Sequence, residues 1–233
     1  MPAVFHTFAT RTACLQALAD ELVSHLQHAV AGLGRASLLL PGGSSPAPLL
    51  PLLAAAELDW SRVQASPSDE RWVPAEDEQS NLRLLRAGVP GAQWLDPRQG
   101  PTPEQAARHW GEQLQAWLPL TAVLLGMGED GHFASLFPDM PGLAAALDGA
   151  AEPAALPAQA PSEPRLRLTP NLALLRRSDW LGLLVFGSAK RALLEQAQQG
   201  LGDWPVRQLL EQSVPVQVYW AEEGLTPLRS MRG

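Results

Sequence analysis

Short apolar runs, each followed or preceded by a helix-forming segment, recur along the sequence and constrain its fold more than any other feature. The runs are ASLLL (36–40), RVQAS (62–66), LTAVLLG (120–126), WLGLLVFG (180–187) and VPVQVYW (214–220). Short runs of this kind are typical of strands buried on both faces. Strands that alternate with helices predict an α/β fold, with a mainly parallel sheet covered by helices on both faces.

Periodicity and capping residues predict the helices between these strands. Leucines three or four residues apart indicate an amphipathic helix after the first ten residues. Ser45 is predicted as an N-cap with Pro46 in the first helical position, and Thr102 and Gln105 form a capping box. The predicted helices are 12–31, one within 46–56, 103–118 and 188–197.

The composition is typical of a globular enzyme. The chain has 233 residues, 46% hydrophobic and 18% charged, and we expect one domain over 1–233. A formal net charge of −7 disfavours nucleic acid and membrane surfaces as partners.

Cys14 is the single cysteine, so no intramolecular disulfide is possible. With neither a signal-peptide pattern nor a long apolar run, we expect a cytoplasmic monomer or homodimer. The Ala/Pro-rich segment 148–164 is predicted to be a surface loop.

Four of the predicted strands lead into loops rich in glycine, serine or charged residues. These loops are PGGSSP (41–46), SDERWVP (68–74), GMGEDGH (126–132) and FGSAK (186–190). In open parallel sheets, ligands bind at the carboxyl ends of the strands. We therefore expect the four loops to lie together and to form the functional site.

The loop GMGEDG matches the pattern G-x-G-x-x-G of dinucleotide-binding sites. That pattern should open a long helix, yet Pro138 follows Gly131 closely. An acidic residue about 20 positions further on, at the end of a second strand, would also be needed to bind the ribose. We interpret the match as a glycine-rich turn.

The loop PGGSSP is the better candidate for binding an anion. Gly42 and Gly43 allow close backbone approach, Ser44 and Ser45 supply hydroxyls, and the next helix presents free N–H groups. Because the G-K-[ST] ending of nucleotide-binding loops is missing, a single phosphate is the expected ligand. Lys190 could add a positive charge. The alternatives are an ordinary strand-to-helix turn and a solvated lysine.

Two further loops carry candidate catalytic groups. In SDERWVP, the apolar residues after Arg71 should partly desolvate its guanidinium, which favours recognition of phosphate or carboxylate. In Asp130-Gly131-His132, the glycine allows a sharp turn that directs His132 into a cleft, with Asp130 close enough to orient it. We interpret His132 as a general base rather than an inert loop histidine.

These loops, in this order and at about this spacing, resemble those of the 6-phosphogluconolactonase family over nearly the whole chain. GMGEDGHFASLFP matches the family pattern G-M-G-x-D-G-H-T-A-S-L-F-P, with Phe133 in place of Thr, and DERWVP matches D-E-R-x-V-P. The resemblance implies a Rossmann-like layered fold similar to that of glucosamine-6-phosphate deaminase. It also implies hydrolysis of 6-phosphoglucono-δ-lactone in the pentose phosphate pathway.

Roles for individual residues follow from their chemistry together with this resemblance. His132 is the expected base for the attacking water, Asp130 orients it, and Arg71 and backbone N–H groups of the glycine turn stabilise the oxyanion. Asp130 and His132 are only two possible metal ligands, so neither a metal nor another cofactor is expected. The residues expected to bind the substrate or its phosphate are Gly42, Gly43, Ser44, Ser45, Asp69, Arg165 and Lys190.

Besides Phe133, the chain departs from the family pattern in three places. The pattern R-[IV]-[ST]-x-[ST] reads RLRLT (165–169), so Arg167 stands where a hydroxyl residue is usual. Arg165 is then the expected phosphate ligand, but Arg167 could compete for that role. The usual Pro-Ala is Pro205-Val206, and the acidic position after Trp220 is altered.

Two other functions are open from the sequence. A sugar-phosphate isomerase or deaminase on the same fold would be expected to carry D-E-Y and an acidic segment such as N-E-P after the D-G-H turn, where this chain has DER and ASLFP. A non-catalytic sugar-phosphate sensor should carry a DNA-binding helical domain, for which the chain has neither room nor a basic stretch.

Overall fold

A computed structural model describes residues 3–211 and 215–222 of the chain. Its strands are β1 (Val4–Phe8), β2 (Ala36–Leu40), β3 (Val63–Pro67), β4 (Glu70–Arg71), β5 (Gln93–Trp94), β6 (Leu120–Gly126), β7 (Ala155–Gln159), β8 (Leu166–Pro170), β9 (Ser178–Phe186) and β10 (Gln217–Ala221). Its α-helices are α1 (Arg11–Leu33), α2 (Leu50–Ala54), α3 (Asn81–Gly88), α4 (Pro103–Gln115), α5 (Leu143–Ala146), α6 (Leu172–Leu175), α7 (Ser188–Gln198) and α8 (Pro205–Leu210). Two 3₁₀ turns span Ala47–Leu49 and Trp60–Arg62.

The central sheet is parallel and is covered on both faces, as the sequence predicts. Its strand order is β1-β10-β9-β6-β2-β3-β5, and every neighbouring pair is parallel. On β2, Leu39 joins the core shared with α4, α7 and α8, whereas Leu38 and Leu40 join the core shared with α1, α2 and α3. Successive side chains point to opposite faces, so a continuous apolar run fills both cores.

Most predicted elements are found within a few residues of their predicted ends. Strands β2 and β6 have the predicted bounds, and α1 is longer than predicted by one residue at its start and two at its end. Thr102 caps α4 by accepting a hydrogen bond from the Gln105 N–H at 3.3 Å. The last strand was predicted from Val214, which lies outside the described residues, and β10 begins at Gln217.

The predicted helix after PGGSSP is wrong at its start. A 3₁₀ turn begins at Ala47, with Pro46 in the N-cap position, and α2 follows only from Leu50. Ser45 therefore lies one residue too early to cap it. Pro51 lacks the N–H group that an α-helix beginning at Ala47 would need at that position, and α2 begins only at Leu50.

The prediction of a loop over 148–164 is also wrong in part, because β7 lies within it. Strand β7 pairs antiparallel with β8, and β8 pairs antiparallel with β4, which forms a second, three-stranded sheet. Pro157 is tolerated because β7 is an edge strand. This sheet places Arg71 opposite Arg167. Within the described ranges, no helix is long and apolar enough to cross a membrane.

Candidate active site

The four loops meet at the carboxyl ends of β2, β3, β6 and β9 and enclose a cavity of about 250 Å³. Parallel strands place these ends at one edge of the sheet, which is why loops far apart in sequence become neighbours. Of the predicted site residues, those that line the cavity are Gly42, Gly43, Ser44, Ser45, Asp69, Arg71, His132 and Lys190.

His132 lines the cavity and forms a hydrogen-bonded pair with Asp130, which is not among the lining residues. The distance between His132 Nδ1 and Asp130 Oδ1 is 2.5 Å, and the same oxygen accepts the His132 backbone N–H at 3.2 Å. The Phe137 ring lies 4.3 Å from the imidazole between centroids. A neutral imidazole that donates through Nδ1 keeps Nε2 free to accept a proton. The pair therefore has the arrangement of an oriented general base.

Two glycines shape the turn that carries this pair, each for a different reason. Gly131 has φ +75°, which residues with a Cβ adopt only at a cost. At Gly128, a Cβ would lie 2.2 Å from the His132 imidazole and 2.6 Å from Asp130 Oδ1. The turn is closed by hydrogen bonds from Gly128 N to His132 O and from Gly131 N to Gly128 O.

The N-terminus of α8 supports the same turn from outside. Val206 N donates to Gly131 O at 3.0 Å, and Trp204 packs so closely that a Cβ on Gly131 would lie 2.7 Å from its Cβ. The backbone N–H groups of Gly128 and Gly131 donate within the turn, so neither is free to act as the predicted oxyanion donor. The charged donors that line the cavity are Arg71 and Lys190.

Lys190 reaches the cavity from the first turn of α7. Its Nζ donates to Met127 O at 2.7 Å, which fixes the ammonium beside the turn that carries His132. Gly187 precedes the helix with φ +90°, and its carbonyl accepts a hydrogen bond from Trp220 Nε1 at 2.8 Å. The remaining N–H groups of the ammonium can bind an anionic group of a ligand.

The DER segment divides its side chains between the cavity and the interior. Asp69 and Arg71 line the cavity, whereas Glu70 is fully buried. The Glu70 carboxylate accepts backbone N–H groups of Arg71, Asn81 and Leu82 at 2.7–2.8 Å. Burial raises the pKa of Glu70, and these three N–H groups oppose that rise. Glu70 thus joins β4 to the start of α3 and holds Arg71 in place.

Arg71 and Arg167 lie side by side across the β4–β8 pair. Arg71 Nη1 donates to Gln79 O at 2.7 Å, and its buried Nε has no hydrogen-bond partner among residues 3–211 and 215–222. Burial lowers the pKa of the Arg167 guanidinium; the charge of Arg71 lowers it further, while Asp69 and Glu70 raise it. The guanidinium groups of Arg71 and Arg167 therefore lie close to each other and to the carboxylates of Asp69 and Glu70.

Arg165 is placed away from the other predicted site residues. Its side chain is 70% exposed and its Nε lies 3.3 Å from Glu163 Oε1. Arg165 belongs to the turn before β8 and lies beside Glu163 at the surface. Of the two arginines in RLRLT, Arg167 is the one that lies near Asp69 and Arg71, with an exposure of 8%.

Two residues that sequence reasoning missed contact Asp69. Asn81 lines the cavity and donates through Nδ2 to the Asp69 backbone carbonyl at 2.8 Å. Ser135 donates to Asp69 Oδ2 at 2.5 Å. Ser80 is the N-cap of α3 and accepts a hydrogen bond from Arg83 N. Recognising this cap in the sequence would have placed Asn81 at the first position of a helix. No local pattern predicts the contact of Ser135.

Comparison with known proteins identifies the family of the chain. The sequence model of the family described as "Glucosamine-6-phosphate isomerases/6-phosphogluconolactonase" matches residues 9–220. The chain belongs to this family. A curated 6-phosphogluconolactonase of Pseudomonas putida is 37% identical over 223 residues, which are 92% of this chain and 91% of the relative. One from Rhizobium meliloti (strain 1021) is 37% identical over 95% of this chain and all of the relative.

A solved structure supports the same family and confirms the fold. The crystal structure of a 6-phosphogluconolactonase from Shewanella baltica OS155 has a TM-score of 0.85 and 33% sequence identity. The match covers 94% of this chain and 97% of that chain. Within the described ranges of this family member, no group of three or more His, Cys, Asp or Glu residues is arranged to hold a metal ion.

Proposed function

We propose that this protein hydrolyses 6-phospho-D-glucono-1,5-lactone to 6-phospho-D-gluconate, the lactone-opening step of the oxidative pentose phosphate pathway. The observation that carries the proposal is the His132–Asp130 pair at a cavity that Lys190 also lines. A base and an anion-binding group in one cavity suit a phosphorylated substrate with a hydrolysable carbonyl. The names of the relatives favour a lactonase over an isomerase or deaminase.

The proposed reaction begins with a water molecule beside His132. Nε2 takes a proton from this water as its oxygen bonds to C1 of the lactone. The negative charge that develops on the carbonyl oxygen is stabilised by the Arg71 guanidinium. The bond between C1 and the ring oxygen then breaks, and His132 returns its proton to that oxygen. The products are a hydroxyl group at C5 and a carboxylic acid, which ionises.

The phosphate end of the substrate supplies binding energy remote from C1. Lys190, Ser44, Ser45 and the backbone at Gly42 and Gly43 line the cavity on the side of the PGGSSP loop and α7. Charge-assisted hydrogen bonds to phosphate are stronger than neutral ones. Holding the phosphate positions the carbonyl against His132, so binding energy is converted into rate.

Acid release from freshly prepared 6-phosphogluconolactone tests this proposal, with uncatalysed hydrolysis subtracted at every substrate concentration. We expect saturable release of one acid equivalent per lactone, unchanged after prolonged treatment with EDTA. Release no faster than the uncatalysed reaction would refute the function. Loss of activity in EDTA with recovery on added metal would make His132 a metal ligand instead of a base.

We also propose that the protein acts in the cytoplasm as a monomer or homodimer without a cofactor.

Replacing Lys190 with alanine is expected to weaken binding more than it slows the bound-state reaction. Loss of one charge-assisted contact should cost about 1.5–3 kcal/mol, which corresponds to a fall in kcat/KM of about 10- to 150-fold. Unphosphorylated gluconolactone should be a poor substrate whose hydrolysis hardly changes with the substitution. Steady-state kinetics on both lactones provide the comparison; an equal loss on both would show that Lys190 does not bind phosphate.

A further inference from the structure

The Asp69 carboxylate lies in the cavity wall and is held from behind. It is 9% exposed and lines the cavity. Its Oδ2 accepts the hydroxyl of Ser135 at 2.5 Å, and its Oδ1 lies 3.4 Å from Asn81 Nδ2. Each carboxylate oxygen has two lone pairs, so these contacts leave acceptor capacity on the cavity side. Asp69 can therefore accept hydrogen bonds from hydroxyl groups of a bound sugar.

Ser135 does not line the cavity itself but donates its hydroxyl to Asp69, which does. It is fully buried, and its backbone N–H donates to Thr169 Oγ1 at 3.3 Å. The residue before it, Ala134, has φ +47°, a left-handed conformation that costs about 1–2 kcal/mol for a residue with a Cβ. Strain of this kind persists where the surroundings enforce it and is concentrated at functional sites. Here it accompanies the turn that directs Ser135 at Asp69.

The arginines beside Asp69 explain why its orientation must be enforced. Arg167 interacts electrostatically with both Asp69 and Arg71, and Arg71 lines the same cavity. A carboxylate free to rotate would pair with a guanidinium group, because such pairs form strong charge-assisted hydrogen bonds. That rotation would turn Asp69 away from a sugar hydroxyl and occupy the arginine that we assign to the oxyanion. The hydrogen bond from the Ser135 hydroxyl to Asp69 Oδ2 opposes this rotation.

We propose that Ser135 is a positioning residue, which holds Asp69 as the acceptor for hydroxyl groups of the sugar lactone and keeps it from pairing with Arg71. The proposal rests on the lactonase function proposed above. It assigns a task to the serine of the turn after His132, although that serine is fully buried and does not line the cavity. Asn81 contributes a second, longer contact to the same carboxylate.

A double-mutant cycle with Ser135→Ala and Asp69→Asn tests the proposal. We expect Ser135→Ala to lower kcat/KM by about tenfold, mainly through a higher KM, because a hydrogen bond to a charged group is lost. In the Asp69→Asn background, the same substitution should leave kcat/KM nearly unchanged, since the group it positions is gone. Its effect on the melting temperature should persist in both backgrounds.

Ser37→Ala is the matched control, because Ser37 is also a buried serine with one hydrogen bond through its hydroxyl oxygen, at 2.9 Å from Thr121 N. It should lower the melting temperature without changing KM. If Ser135→Ala does not fold, Ser135→Cys keeps the side-chain size with a weaker donor and enters the same cycle. Equal losses of kcat/KM in both backgrounds would overturn the positioning role while leaving the lactonase function intact. Wild-type protein without lactonase activity would overturn both.

Discussion

The asparagine variant of His132 is expected to remain folded but to lose about two to four powers of ten in kcat, the usual contribution of a general base. Asparagine is similar in size and can still hydrogen-bond to Asp130, but it cannot take a proton from water. Substrate affinity should change little, because the cavity keeps Lys190, Arg71 and the PGGSSP loop. Single-turnover hydrolysis, with circular dichroism to establish folding, measures the effect.

Asp130→Asn provides the comparison for this prediction. Asp130 Oδ1 contacts Nδ1 of the His132 imidazole and also accepts the backbone N–H of His132, so we expect Asp130 to act on the base and not on the substrate. The fall in kcat caused by Asp130→Asn should be comparable to that caused by His132→Asn, or smaller. The double variant should be no slower than His132→Asn alone. A folded His132→Asn protein with near-normal turnover would refute the mechanism.

The second large effect is expected at Gly128. A Cβ there would lie 2.2 Å from the His132 imidazole and 2.6 Å from Asp130 Oδ1, well inside contact distance, so Gly128→Ala must displace the pair. Displacement of a catalytic group by roughly 1 Å can cost about 10²-fold in rate, and we expect a fall of this size in kcat. The measurement is kcat on the phosphorylated lactone, together with the melting temperature.

Gly32→Ala is the control for a glycine substitution without contacts. Gly32 lies within α1 and no heavy atom would come within 4 Å of a Cβ there. This variant should retain full activity and gain about 0.5–1 kcal/mol of stability, because alanine is the better helix former. If Gly128→Ala kept wild-type kcat, the close contact at the imidazole would have no bearing on catalysis.

The sequence alone determined the layered fold and the edge at which a ligand would bind. The apolar runs ASLLL and LTAVLLG correspond residue for residue to β2 and β6, because strands buried on both faces have no polar alternation. Parallel strands place their carboxyl ends at one edge, so the loops after them were expected to meet. The turn at Gly131 likewise followed from local residues, since it depends on backbone conformation.

Only the tertiary structure decided which polar groups act together. The sequence favoured Arg165 over Arg167 as the phosphate ligand, but Arg165 pairs with Glu163 at the surface and Arg167 is buried beside Arg71. Ser135 holds Asp69 across a separation of 66 residues. A hydrogen bond between distant residues depends on how the second sheet packs against the first, and local periodicity carries no information about that packing. The sequence therefore located the cavity, and the structure determined which polar side chains contact one another around it.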